Sequence, residues 1–405
     1  MVIFGTWRNN TLTLSTKPNS LTLSLQGQGQ SRVYSFDGAG RLWTAMVDNI
    51  SYRRGLNGRT VAKWQTGADS RERRWLEPGE AARLEESARG LVEDLLRDLQ
   101  NDAVELKDPL PPATLPLLEA AACFTLDRYN QDVQQYHQVY KPVGILPPDQ
   151  YMAVVLQATE GCSFNTCTFC TFYRDRRFRI KRPDEFRAHA QSVRDFLGPG
   201  LNLRRTIFLG DANALVVPQP RLLELLDVVH EIYDVEQLGG MFAFLDGFSG
   251  EKKTAADYRK LAELGMKRIY IGMESGNARL LEFLKKPGKP EDVLHAVRTI
   301  KEGGISVGVI ALLGAGGHTY ARDHVRDTVK LLNAMPLDLD DLIYFSELIE
   351  GEGMEYTHDA YDAHLQPLTS EERIRQGEEI EAALRFSQAG GIPHISRYDI
   401  REFVY

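Results

Sequence analysis

Six short apolar runs recur along residues 152–345, separated by stretches with the spacing of amphipathic helices. The runs are 152–158 (MAVVLQA), 205–209 (RTIFL), 241–245 (MFAFL), 268–273 (RIYIGM), 306–313 (SVGVIALL) and 341–345 (DLIYF). The helical stretches fall near 184–197, 220–233, 253–265, 290–303 and 321–334. A strand that is apolar along its whole length needs cover on both faces, and a helix after each strand supplies it. The pattern therefore predicts an α/β fold with a buried parallel sheet, either an open barrel or a doubly wound sheet.

The flanks read differently. Residues 1 to about 65 alternate in polarity, as in "SLTLSLQ" and "SRVYSF", with hairpin turns expected at Asp37-Gly38 and Asn57-Gly58. From Glu77 the period becomes helical, with Ala82, Leu84, Leu91, Leu95, Leu96 and Leu99 on one face. A proline-rich break, "PLPPATLP", precedes a second helical run that reaches about Tyr140. Residues 1–140 thus form a strand-rich then helical domain, 141–150 ("KPVGILPPDQ") a linker, 151–350 the repeated β-α domain and 351–405 a helical extension. The extension's main helix, starting near Ser370, is expected to stop at Gly390-Gly391.

The stretch 161–173, "GCSFNTCTFCTFY", holds Cys162, Cys167 and Cys170, three of the chain's four cysteines. It lies just past the first strand of the repeat, at the end where parallel β/α folds assemble chemistry. A structural zinc ion needs four closed ligands. The remaining cysteine, Cys123, sits in the apolar run "LEAAACFTL" and reads as a buried small hydrophobe. Three thiolates suit three irons of a 4Fe-4S cluster, whose fourth iron is then open to the amino and carboxylate groups of S-adenosylmethionine. So few cysteines make no disulfide framework, and a reducing cytoplasm is expected. "MVIFGTWRNN" lacks a signal-peptide layout, and the longest apolar run, Val307 to Gly317, is too short to span a bilayer. A net charge of −8 argues against nucleic acid as the main partner.

The layout of strand, Cys-x4-Cys-x2-Cys and an aromatic residue, Phe169, before the last cysteine resembles the radical S-adenosylmethionine superfamily. The usual spacing there has three residues between the first two cysteines, so this chain carries one more. Its other motifs are most similar to those of oxygen-independent coproporphyrinogen oxidase-like members. Gly210-Asp211-Ala212 stands in the place of a Gly-Gly-Glu motif that receives the cofactor's ammonium; a helix N-cap at Asp211 or Asn213 is the plain alternative. The "G-x-E-S-G" segment ending the fourth strand implies contact of Glu274 with S-adenosylmethionine, with Ser275 shaping the turn; a salt bridge is the alternative. Gly314 and Gly316 would lie beneath the adenine, or merely form a tight turn.

The resemblance implies a partial (β/α)6 TIM-like barrel, one 4Fe-4S cluster, and S-adenosylmethionine cleaved to a 5′-deoxyadenosyl radical that abstracts hydrogen from a small or medium organic substrate. Asp246, Ser346 and Glu347 are the substrate candidates at other strand ends. The run "RDRRFRIKR" after the cysteines sets six cations against Asp175 alone. It reads as a solvated face, a clamp for substrate carboxylates or phosphates, or a dock for an acidic electron donor of flavodoxin or ferredoxin type. Arg174 is expected in the active site and Arg176, Arg177 and Arg179 outside it. The competing class is a non-enzymatic zinc or iron-sulfur module whose arginine run binds RNA or protein. No second cysteine cluster is present, and "DAHLQP" at 362–367 is no cobalamin motif.

Overall fold

Alternating polar and apolar residues near the N-terminus become an antiparallel sheet. In this computed structural model, which describes residues 1–27, 29–67, 71–351, 353–386 and 390–405, the chain forms two units. The first comprises Met1–Val143, Gln191–Arg205 and Glu402–Tyr405; the second comprises Gly144–Ala190 and Thr206–Arg401.

The first unit holds β1 (Val2–Trp7), β2 (Asn10–Lys17), β3 (Ser20–Gly27), β4 (Gln30–Asp37), β5 (Leu42–Val47), β6 (Ile50–Arg54), β7 (Thr60–Gln65) and β8 (Arg71–Trp75). They pair in sequence order, and a short β9 (Glu105–Leu106) extends the sheet beyond β1. Helices α1 (Pro78–Gln100), α2 (Thr114–Ala122) and α3 (Leu126–Val139) supply apolar residues to the same core, where Leu12, Leu23 and Phe36 join Val92, Leu95 and Leu118. The Gly-containing hairpin turns fall where expected. Two others, Arg8-Asn9 and Asp48-Asn49, hold both residues at positive φ without any glycine, which is why the turn dipeptides did not announce them. Cys123 corrects the reading of a buried hydrophobe: it caps the C-terminus of α2 and is exposed.

The second unit begins with β10 (Ala153–Gln157), the short β11 (Thr159–Glu160) and β12 (Arg179–Ile180), and α4 (Pro183–Leu197), whose last turns belong to the first unit. Then follow β13 (Thr206–Gly210), α5 (Gln219–Ile232), β14 (Met241–Leu245), α6 (Ala255–Glu263), β15 (Met266–Glu274), α7 (Ala278–Phe283), α8 (Pro290–Glu302), β16 (Ser306–Leu313), α9 (Gly317–Asn333) and β17 (Leu342–Glu347). The tail adds α10 (Glu355–Asp362), α11 (Ser370–Ala383) and β18 (His394–Tyr398).

All six expected strands are present, side by side and parallel in the order β10-β13-β14-β15-β16-β17. A seventh, β18, pairs in parallel with β17, from Leu342↔His394 to Ser346↔Tyr398, so the tail is not wholly helical. As an edge strand it has no fully buried residue, and the apolar-run criterion passes it by. Helix α11 also stops short of Gly390-Gly391. The Asn333 side chain takes the N–H of Arg385 at 2.7 Å and donates to Ala383 O at 3.3 Å, a tertiary cap that the sequence does not display. Residues 387–389 of that stretch lie outside the described residues. Among the described residues no helix is long and apolar enough to cross a membrane.

Candidate active site

The excursion 161–178 leaves the end of β10 and is pinned at its base. Strands β11 and β12 pair there, Thr159↔Ile180 and Glu160↔Arg179, and the Glu160 carboxylate bridges to Arg179 at 2.9 Å and Lys181 at 3.0 Å. The hydrogen bonds from Arg179 hold the Glu160 carboxyl down at about 2. Inside the loop, Gly161 (φ 77°) and Asn165 (φ 55°) take left-handed turns. Asn165 lies within the longer Cys162–Cys167 spacer, its N–H 3.4 Å from Cys162 Sγ and its side-chain amide on Tyr173 O at 3.0 Å. The far side is tied to the turn after α7: Thr168 N–H donates to Leu284 O at 3.0 Å and Thr166 Oγ1 to Lys285 O at 3.1 Å.

Cys162, Cys167 and Cys170 all border one cavity of about 350 Å3 at the C-terminal ends of the parallel strands. Burial pushes the Cys167 thiol up to about 11 and raises Cys170 as well. A metal that binds these sulfurs must displace their protons. Among the described residues, however, no three His, Cys, Asp or Glu groups gather closely enough to hold a single metal ion. Three thiols can supply one ligand each to a centre of several metal atoms, whereas a tetrahedral zinc would need a fourth ligand.

Strand β15 ends on Glu274, which has a left-handed φ of 59° and follows a register shift between Gly272 and Glu274. Its carboxylate faces the cavity and accepts from Lys286 Nζ at 3.1 Å. Burial alone would push the Lys286 ammonium down; Glu274 and the Cys167 sulfur outweigh it and raise it. Gly272 leaves room for this pair, since a Cβ there would stand 2.4 Å from Glu274 Oε1. Asp246, past the end of β14, also lines the cavity; burial pushes its carboxyl up, and it accepts from Ser249 N–H at 2.8 Å and from the Asn213 amide. Asn213 Oδ1, buried on the cavity wall, has no hydrogen-bond partner among the described residues. Ser346 and Glu347 line the opposite side, the first bonded to Tyr398 of β18 and the second bridged to Arg373 at 2.9 Å.

Phe169 and Ala212 also border the cavity, whereas Gly210, Asp211, Ser275, Gly314 and Gly316 are not among its lining residues. Asp211 is buried beneath the cysteine loop, accepting from Gly161 N–H at 3.0 Å, Gln157 Nε2 at 3.1 Å and Arg176 at 3.3 Å. Its carboxylate is thus spent on holding the loop. Ser275 turns away to His324 Nδ1 at 2.7 Å. The N–H groups of Gly314 and Gly316 are taken by Gln376 Oε1 at 2.8 Å and Tyr356 OH at 2.9 Å, so these glycines pack against the tail helices.

The arginine run divides otherwise than expected. Arg176 and Lys181 are the members with buried side chains, Arg176 7% exposed on Asp211 and Lys181 8% exposed on Glu160. Arg174 is exposed, donating to Cys167 O at 2.9 Å and Cys170 O at 3.3 Å. Arg179 and Lys181 are committed to Glu160, leaving Arg177 exposed without a carboxylate partner among the described residues. Lys286 and Tyr398 are site residues that sequence reasoning did not single out, and Arg176, expected outside with Arg177 and Arg179, is instead committed to Asp211. Lys286 was visible only as one of two adjacent lysines before Pro287, and nothing set Arg176 apart from its five neighbouring cations.

Residues 156–332 match the family model described as the radical SAM superfamily, and this segment of the chain belongs to that superfamily. Its members use a 4Fe-4S cluster and S-adenosylmethionine. An uncharacterized methyltransferase of Pyrococcus horikoshii is 24% identical over 229 residues, which is 48% of this chain and only 40% of that relative. Among solved structures, coproporphyrinogen III oxidase HemN of Escherichia coli is similar at a TM-score of 0.43 and 13% identity, over 64% of this chain and 55% of that one. SuiB of Streptococcus suis bound to S-adenosylmethionine gives a TM-score of 0.41 at 12% identity, over 87% and 72%.

Proposed function

We propose that this chain is a radical SAM enzyme in which Cys162, Cys167 and Cys170 hold three irons of a 4Fe-4S cluster and leave one iron for S-adenosylmethionine. One observation carries the reading: three thiols border a single cavity at the C-terminal end of a parallel sheet. The alternative of a zinc module would need a fourth ligand beside these three thiols. With both groups bound, reductive cleavage of S-adenosylmethionine supplies methionine and a 5′-deoxyadenosyl radical that takes a hydrogen atom from an organic substrate.

The protein's own residues bind, orient and exclude water. Glu274, held by Lys286, and the backbone at Ala212 face S-adenosylmethionine. Phe169 shields the last cysteine. Asp246, with the free Oδ1 of Asn213 beside it, and Ser346 face the substrate, while Glu347 is shared with Arg373. Asp211 serves the cysteine loop instead of the cofactor's ammonium. Arg174 and Arg177 form the exposed basic edge nearest the cysteines, where a flavodoxin or ferredoxin-type donor would approach. The four free thiols favour a reducing, cytoplasmic setting. Chemically reduced, iron-loaded protein is expected to form 5′-deoxyadenosine and methionine in equal amounts, and Cys170→Ala to form neither. Intact S-adenosylmethionine after incubation with iron-replete, reduced protein would sink the proposal.

A further inference from the structure

Lys286 is a cation in a place that ordinarily excludes one. Its side chain keeps 16% of its surface, lines the cavity shared by the three cysteines, and meets a single carboxylate, Glu274, at 3.1 Å. The backbone just before it holds the cysteine loop: Leu284 O accepts from Thr168 N–H and Lys285 O from Thr166 Oγ1. These bonds anchor the backbone that carries Lys286 beside the cysteine loop, and Glu274 holds its ammonium at the cavity wall. It interacts electrostatically with both Cys167 and Cys170, and no other Lys or Arg borders the cavity among the described residues. Glu274 sits in the same field with the opposite sign, and Gly272 keeps the two charges in contact.

We propose that Lys286 and Glu274 form a fixed charge pair that sets the reduction potential of the iron-sulfur centre held by Cys162, Cys167 and Cys170. The inference rests on the cluster assignment above. Reduction adds one electron to a centre already surrounded by three thiolates. A positive charge locked nearby favours that reduced state, and a carboxylate opposes it, more strongly in a desolvated cavity than in water. Lys286 is thus a positioning residue for charge: it touches neither the irons nor the transferred electron. The two residues act in opposite directions, which a purely structural role would not produce.

The test is a redox titration, followed by electron paramagnetic resonance, of anaerobically reconstituted full-length protein without S-adenosylmethionine. Lys286→Met should lower the midpoint potential, with the equilibrium constant for reduction falling about tenfold, or about 59 mV for a one-electron couple. Glu274→Gln should raise it, Lys286→Arg should stay near wild type, and the double variant should return toward it. Iron content close to wild type in each variant shows that the loop has survived. An unchanged or raised potential in iron-replete Lys286→Met overturns the inference while leaving the cluster assignment standing. Wild-type protein that takes up no cluster overturns the assignment itself. If Lys286→Met loses its iron, the Lys286→Arg and Glu274→Gln pair still decides: a Glu274→Gln potential equal to wild type contradicts the charge-pair account.

Discussion

Asp211 has three hydrogen-bonding partners for its carboxylate: Gly161 and Arg176 in the cysteine loop and Gln157 at the end of β10, from which the loop departs. Asp211→Asn strips the charge that faces buried Arg176, and a charge-assisted hydrogen bond of this kind contributes on the order of 2 kcal/mol. The variant should unfold earlier and lose iron readily, while S-adenosylmethionine affinity per retained cluster stays unchanged in calorimetry. Weakened affinity at full iron content would return Asp211 to the cofactor. A second residue-scale expectation concerns His324, behind the Glu274 turn, whose Nδ1 meets Ser275 Oγ at 2.7 Å. Burial pushes it from 6.5 down to about 4, against the opposing pull of Asp327. Between those values the unfolded chain binds a proton that the folded one refuses. Stability should therefore be intact above about pH 6.5 and decline as pH falls toward 4, by on the order of 3 kcal/mol at full extent. Denaturant midpoints at pH 7.5, 5.5 and 4.5 measure the slope, and His324→Gln should flatten it. The cysteines were legible as residues because three thiols in one short segment have few other uses. The partners of Asp211 and Ser275 were not, because a strand-end polar residue looks the same in sequence whether it faces a cavity or the loop beside it.

Among elements, the strands buried on both faces announced themselves, and β18 did not. The same limit governs the glycines after β16. A left-handed turn demands glycine at Gly314 (φ 85°), but sequence cannot say what lies against it. In the structure a Cβ there would stand 2.6 Å from the Arg373 side chain, which bridges to Glu347. Gly314→Ala should destabilise the protein by about 1–2 kcal/mol through the positive φ, with some further loss from the displaced arginine. Thermal unfolding measures the first effect. Cofactor binding should survive in the folded fraction, and a stable variant that no longer binds S-adenosylmethionine would restore the adenine-platform role.

At the scale of the whole molecule, the chain's −8 charge and its basic run after the cysteines suggested a donor dock, yet most of that run is neutralised by Glu160, Glu185, Asp184 and Asp211. Charge composition counts residues but not their partners. The proposed function rests instead on three sulfurs, one cavity and the ends of parallel strands. Anaerobic reconstitution followed by iron counting and electron paramagnetic resonance tests that claim most directly. The account predicts close to four irons per chain, a reduced 4Fe-4S signal that changes on adding S-adenosylmethionine, loss of the cluster in Cys162→Ala, Cys167→Ala and Cys170→Ala, and retention in Cys123→Ala. A colourless protein holding one tightly bound zinc, or a cluster signal indifferent to S-adenosylmethionine, would contradict it.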